Sequence, residues 1–265
     1  MIDIGANLTD KSFRGDLGDV INRAIEGGVN HIVVTGTNES LSHDAATLAL
    51  NRQDYLAYTA GVHPHYADDV ADGWIDTIAE IASLGAAAIG ETGLDYFRNF
   101  STRENQRKVF QAQLELASSL DLPVFVHDRD SNGEVLEMLK HSATTDVVVH
   151  CFTGNGLLLD AYIEIGCYIG VTGWVCDPIR GLELANIIDR IPDERLLLET
   201  DSPYLMPKNI QPKPSTHRNE PGNLKYVRKK VAASRNESES HIDQITTANA
   251  IRFFRLPNSV ATNDG

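Results

Sequence analysis

Short apolar and β-branched runs recur along the chain, each closed by glycine or polar residues: 2–7, 31–35, 55–62, 86–91, 123–127, 147–150, 168–172 and 196–199. Most stretches between them carry helical spacing. Over 106–120, for example, Val109, Phe110, Gln113, Leu114, Ala117 and Leu120 stand three or four residues apart, which marks one buried helix face. The strand runs are continuously apolar rather than alternating, as in parallel strands covered on both faces. Eight such strands, each followed by a crossover, predict an α/β protein with the (β/α)8 TIM-barrel architecture. A doubly wound sheet is the rival reading. No change of composition marks a linker, so residues 1–265 are read as one barrel domain.

Two segments leave this rhythm. Pro203, Pro207, Pro212, Pro214 and Pro221 are half of the chain's ten prolines. A stretch so rich in proline makes neither helix nor central strand, so it predicts a stiff loop after the eighth strand. Terminal helices are expected over 223–234 and 241–254, and the last residues, about ten, are expected to fray.

Composition narrows the function. A formal net charge of −14 argues against a broad basic face that coats nucleic acid, but it leaves local anion binding open. Cys151, Cys167 and Cys176 show no CxxC spacing and fit a reducing compartment. The first residues lack the basic-then-apolar order of a secretory signal. No apolar run reaches the roughly 18 residues of a membrane span. The expectation is a cytoplasmic protein.

In a parallel barrel the chemistry gathers at the C-terminal ends of the strands. Here these ends read Gly61-Val62-His63-Pro64-His65, Ala88-Ile89-Gly90-Glu91-Thr92-Gly93-Leu94-Asp95, Pro123-Val124-Phe125-Val126-His127-Asp128-Arg129, Val147-Val148-Val149-His150-Cys151-Phe152 and Leu196-Leu197-Leu198-Glu199-Thr200-Asp201-Ser202-Pro203. Taken singly, each is weak: a histidine at a strand end is usually a satisfied hydrogen-bonding residue, and Glu91 or Asp201 could cap a helix. Together they converge, because a closed barrel brings Glu91, His127, His150 and Asp201 to one mouth. Two carboxylates there would repel unless one took up a proton. A divalent cation removes the conflict, and imidazoles with carboxylates suit Zn, Mn, Fe or Mg. Among the cationic side chains on this face, Arg129 returns to the side of the strand that carries His127 and is the candidate for phosphate. Arg98 and Lys208 are read as surface ion pairs. Strand alternation turns Cys151 away from the interior if His150 faces inward.

With these motifs in hand, the sequence resembles the TatD family of metal-dependent deoxyribonucleases over residues 1–254. His150-Cys151-Phe152-Thr153-Gly154 and Glu199-Thr200-Asp201-Ser202-Pro203-Tyr204-Leu205 complete the set, while Thr172-Gly173-Trp174-Val175-Cys176-Asp177 and Asn7-Leu8-Thr9 look like its bacterial subgroup. The resemblance implies a distorted barrel, with Glu91, His127, His150 and Asp201 as metal-site residues. It also implies Mg-dependent 3′–5′ exonuclease action on single-stranded DNA and RNA ends, in repair or turnover. Mn and Zn are alternative metals, one or two ions are possible, and a monomer without an obligate protein partner is expected. Most relatives begin Asp-x-His-x-His, whereas this chain reads Asp3-Ile4-Gly5-Ala6-Asn7. Asn7 offers a carbonyl oxygen, a hard ligand that suits Mg.

The expected chemistry is phosphodiester hydrolysis at a metal held by Glu91, His127 and His150. Glu91 and Asp201 are the catalytic candidates, with Asp201 accepting the proton of the attacking water or holding that water in line. His65 and Arg129 would bind the phosphate, and His63 would bind substrate or steady a ligand. Tyr96, Phe97 and Trp174 are candidates for stacking on unpaired bases. Two rivals stand beside this reading: a small-molecule amide or ester metallohydrolase on the same barrel, and a non-enzymatic binding protein with a partly lost metal site.

Overall fold

A computed structural model of the chain describes residues 1–143 and 146–257. The C-terminal end expected to fray falls almost entirely outside the described residues. Eight strands form one parallel sheet in chain order, β1 to β8: β1 Ile2–Ala6, β2 His31–Val34, β3 Leu56–Ala60, β4 Ala88–Asp95, β5 Val124–Arg129, β6 Val147–His150, β7 Tyr168–Val171 and β8 Leu196–Leu198. The doubly wound alternative is excluded, because each strand pairs with its sequence neighbour and the strand order never reverses. β8 returns to β1 at the mouth, where Asn7 N donates to Ser202 O (2.7 Å) and Asp201 N to Gly5 O (2.8 Å). The result is a nearly closed (β/α)8 barrel. Register shifts between Asp3 and Ala6 and between Ile89 and Thr92 distort it.

Helices lie between the strands: α1 Leu17–Glu26, α2 Glu39–Leu50, α3 Trp74–Ser83, α4 Arg103–Leu120, α5 Glu134–Lys140, α6 Gly156–Glu164 and α7 Leu182–Ile187. The last two, α8 Leu224–Arg235 and α9 Glu239–Phe253, match the terminal helices expected from spacing. No helix or strand forms between 203 and 220, as proline chemistry requires. Among the described residues, no helix is long and apolar enough to cross a membrane.

Layering inside the barrel decides where the chemistry sits. Ile4, Val33, Phe125, Val148 and Leu197 fill its lower interior, and Phe253, Phe254 and Leu256 close the bottom. Successive strand side chains alternate faces. The next inward residues above Phe125, Val148 and Leu197 are therefore His127, His150 and Glu199. The apolar layer is the floor on which the polar layer stands.

Strand four runs past its expected end at Glu91 to Asp95, because Thr92–Asp95 pair with Val126–Arg129. Gly93 allows this approach: at φ +133, an added Cβ would overlap the carbonyl oxygen of His127. Gln113, on the predicted buried face of α4, reaches the same region. It accepts from Val62 N (2.7 Å) and donates to Val62 O (3.0 Å) and Thr92 Oγ1 (2.6 Å), so one helix side chain fixes the ends of strands three and four.

Candidate active site

A cavity of about 670 Å³ opens at the C-terminal end of the barrel, and its lining includes His63, His65, Glu91, His127, His150 and Asp201. Glu91 is the centre. Its Oε1 lies 2.7 Å from His150 Nε2, 3.0 Å from His127 Nδ1 and 3.3 Å from His63 Nε2. Donor atoms of His63, Glu91 and His127 are close enough together to hold a metal ion. Asp201 lines the same cavity and feels the charges of His150 and Glu91. Asn7 donates to its Oδ1 at 3.1 Å, so the amide orients that carboxylate. His65 lies 2.6 Å from Asp95 Oδ2.

The electrostatics follow from crowding. Burial alone would push the Glu91 carboxyl up, but His150, His63 and His127 override it and hold it well below the ordinary range. Burial works against protonating His127, yet hydrogen bonds to Asp95 and Glu91 raise it to about 9. His150 is also raised despite its burial, by the charges of Glu91 and Glu199. His63 goes the other way, with burial lowering it to about 4. Burial raises Asp201 to about 7. A potential that draws protons onto buried imidazoles also favours a divalent cation, and binding one would release those protons. Nitrogen and carboxylate donors fit such an ion.

Two carboxylates that reading of the strand ends left without a role are part of the site. Asp95 faces His65 and lies 3.5 Å from His127 Nε2. The spacing of two between Glu91, Gly93 and Asp95 was the available signal, since it places them on one face of β4. Glu199, fully buried, lies 3.2 Å from His150 Nδ1 and accepts from Cys151 N at 2.5 Å. It thereby orients the imidazole whose other nitrogen faces Glu91. Glu199 also accounts for the departure on strand one. A Cβ on residue 5 would lie 2.7 Å from Glu199 Oε2 and 2.9 Å from Phe125 Cζ. Gly5 leaves room for that carboxylate.

Other side chains fall differently from their sequence reading. Arg129 does not line the cavity; its guanidinium lies between Phe97 and Trp174 and donates to Thr153 Oγ1 (3.2 Å). Arg98, read as an ion pair, lines the cavity instead, whereas Lys208 does pair with Asp177 (2.7 Å). Tyr96 is buried and donates to Glu134, so it cannot stack on a base. Phe100 and Tyr204, which carried no sequence signal, line the cavity with their rings exposed. Cys151 lines it too, because the strand ends at His150 and residue 151 takes a left-handed φ of 46°, breaking the alternation. Burial raises its thiol to about 12, so it stays protonated and is no nucleophile.

Comparison with known proteins agrees with this geometry. The family profile of TatD related DNases matches residues 2–255. The chain belongs to that family. It is 48 % identical to a 3′-5′ ssDNA/RNA exonuclease TatD of Yersinia pseudotuberculosis and 46 % identical to one of Pectobacterium parmentieri, in each case over 97 % of this chain and all of the relative. A TatD homologue from Escherichia coli has a crystal structure that superposes with a TM-score of 0.89 at 28 % identity, covering 97 % of this chain and 98 % of the other. A TatD family hydrolase from Entamoeba histolytica gives 0.84, also at 28 %, over 96 % and 97 %. The protein is accordingly a nuclease, an enzyme that hydrolyses phosphodiester bonds, and its family is metal-dependent.

Proposed function

We propose that the protein removes nucleotides from the 3′ ends of single-stranded DNA and RNA, with Mg as its metal and Mn or Zn as substitutes. The observation that carries this reading is the gathering of three imidazoles around one carboxylate oxygen of Glu91, at 2.7, 3.0 and 3.3 Å. Glu91, His127 and His150 would hold the ion, with His63 within reach and Asp201 beside it. A bound divalent ion supplies Lewis-acid polarisation of a phosphoryl oxygen and a more acidic water. Asp201, held by Asn7 and raised to about 7 by burial, would accept the proton of an attacking water. His65, braced by Asp95 through Nε2, would stabilise phosphate charge as an imidazolium, with Nδ1–H donating to a phosphate oxygen. The space beside Gly5 is filled by Glu199 and Phe125, which favours one resident ion over two. Relatives of nearly the same length carrying the exonuclease description support the polarity and the single-strand preference.

The test is a degradation ladder from a single strand labelled at its 5′ end, run with Mg, Mn and Zn. Progressive shortening that leaves the label on the longest products supports the reading. Release of the labelled nucleotide first, or internal cuts, contradicts it. Asp201→Asn should slow the ladder by about 100-fold.

A further inference from the structure

In this acidic protein several arginines are neutralised by carboxylates. Arg23, Arg218, Arg228, Arg235 and Arg255 each pair with at least one carboxylate. Arg98 and Arg129 do not: among the described residues neither has a carboxylate partner, and the Nε of Arg129 is buried without any hydrogen-bond partner. Aromatic rings hold them instead. The guanidinium carbon of Arg98 lies 5.8 Å from the centre of the Phe97 ring. That of Arg129 lies 4.9 Å from Phe97 and 5.2 Å from Trp174, and that of Arg180 lies 4.7 Å from Trp174. The five side chains therefore alternate, cation and ring, from the end of β4 to the turn after β7. Arg98 joins this ladder to the catalytic cavity, whose wall it also forms.

We propose that Arg98, Phe97, Arg129, Trp174 and Arg180 form a track that holds the single strand upstream of the bond being cut. The inference rests on the exonuclease reading of the cavity. A guanidinium stacked on a ring keeps its donors in the plane of its fork, where they match phosphate oxygens. The Phe97 ring, 58 % exposed, offers a face to a base, and stacking of this kind is indifferent to sequence. Arg180 shares Asp177 with Lys208, so it contributes less charge than Arg98 and Arg129. A ladder of this shape gives a protein of net charge −14 a narrow basic strip in place of a basic face. It fits one flexible strand and not the two backbones of a duplex.

The track is tested by kinetics and binding together on the metal-loaded protein. Phe97→Ala, Trp174→Ala and Arg98→Gln are compared with the parent on a long single strand and on a dinucleotide. For each variant the ratio of kcat/KM on the long strand to that on the dinucleotide should fall about tenfold. In Arg98→Gln the dependence of log KM on log salt should flatten by about 0.7, the share of one phosphate contact on a single strand. Trp174→Phe, which keeps a ring, should recover most of the loss. Equal losses on both substrates, an unchanged ratio, or no recovery in Trp174→Phe would overturn the track while leaving the exonuclease reading intact. Fluorescence anisotropy with a labelled single strand separates the converse case. A parent that cleaves neither substrate refutes the exonuclease reading, and the track then stands only if the three variants still weaken strand binding about tenfold.

Discussion

The two ends of the barrel bury histidine in opposite ways. At the C-terminal mouth His127 and His150 touch carboxylates, and both are raised above the ordinary imidazole value in spite of their burial. At the N-terminal end His31, 1 % exposed, lines a cavity of about 380 Å³ among Leu50, Leu56, Leu84 and Phe254. Among the described residues neither of its ring nitrogens has a partner, and burial lowers it to about 4. His150 shares the residue type and the depth of His31; the company differs. Burial neutralises an imidazole, even at His63 with its one contact to Glu91, whereas contact with two carboxylates each, as at His127 and His150, builds a negative pocket that calls for a cation. Only the second arrangement is suited to chemistry on phosphate.

That contrast can be broken experimentally, and the largest effect belongs at the mouth. Glu91→Gln removes the charge around which the imidazoles gather, and exonuclease rate should fall about 1000-fold or more, as when a preorganised electrostatic group is lost. A fall of less than tenfold would mean that the cluster is structural.

His31 should show its environment through stability. It takes up a proton near pH 6.5 when unfolded and only near 4 when folded. The unfolded chain therefore binds more protons across that window, and stability is lost as pH falls from 6.5 to 4, by about 3 kcal/mol at most. Urea unfolding at pH 7 and pH 4 should show this loss in the parent and a smaller one in His31→Phe. Equal losses in both would show that His31 is solvated.

His127 should do the reverse in protein stripped of metal by a chelator. Its native value of about 9 exceeds that of the unfolded chain, so its contribution is full below pH 6.5 and fades as pH rises through 9. Thermal melts across that range should fall with pH without metal and flatten once Mg is restored, because the ion replaces the proton. Melts that are equally steep with and without Mg would place the ion elsewhere. The smallest effect is expected at the support. Gln113→Leu leaves Val62 N and O without their buried partner and should cost about 1–3 kcal/mol in urea. No measurable change would mean that water replaces the amide.

The barrel was legible in the sequence because eight buried parallel strands are eight continuous apolar runs, and that signal survives uncertainty about where each ends. The gathering of polar side chains at the mouth was legible wherever a charged residue directly followed such a run, as at Glu91, His127 and His150, which line one cavity. Asp201, two residues beyond Glu199, lines it too and was read the same way. Glu199 and Asp95 were missed for a different reason. Their roles come from long-range contacts, with Gly5 and His150 for Glu199 and with His65 for Asp95, and only the alternation along β8 and β4 hinted at them. Arg98 and Arg129 could not be assigned from spacing, since rings and not carboxylates hold them: Phe97, its own chain neighbour, for Arg98, and Phe97 and Trp174, from other strand ends, for Arg129. Cys151 misled because alternation holds only while the strand continues, and it stops at His150.

Isothermal titration of Mg and Mn into metal-free protein asks, without any substrate, whether Glu91 and its imidazoles hold the ion. The parent should bind with saturable heat and release protons to the buffer, since His127 and His150 must become neutral, and Glu91→Gln should weaken binding at least tenfold. Equal affinity in both proteins, or binding without proton release, would contradict the account.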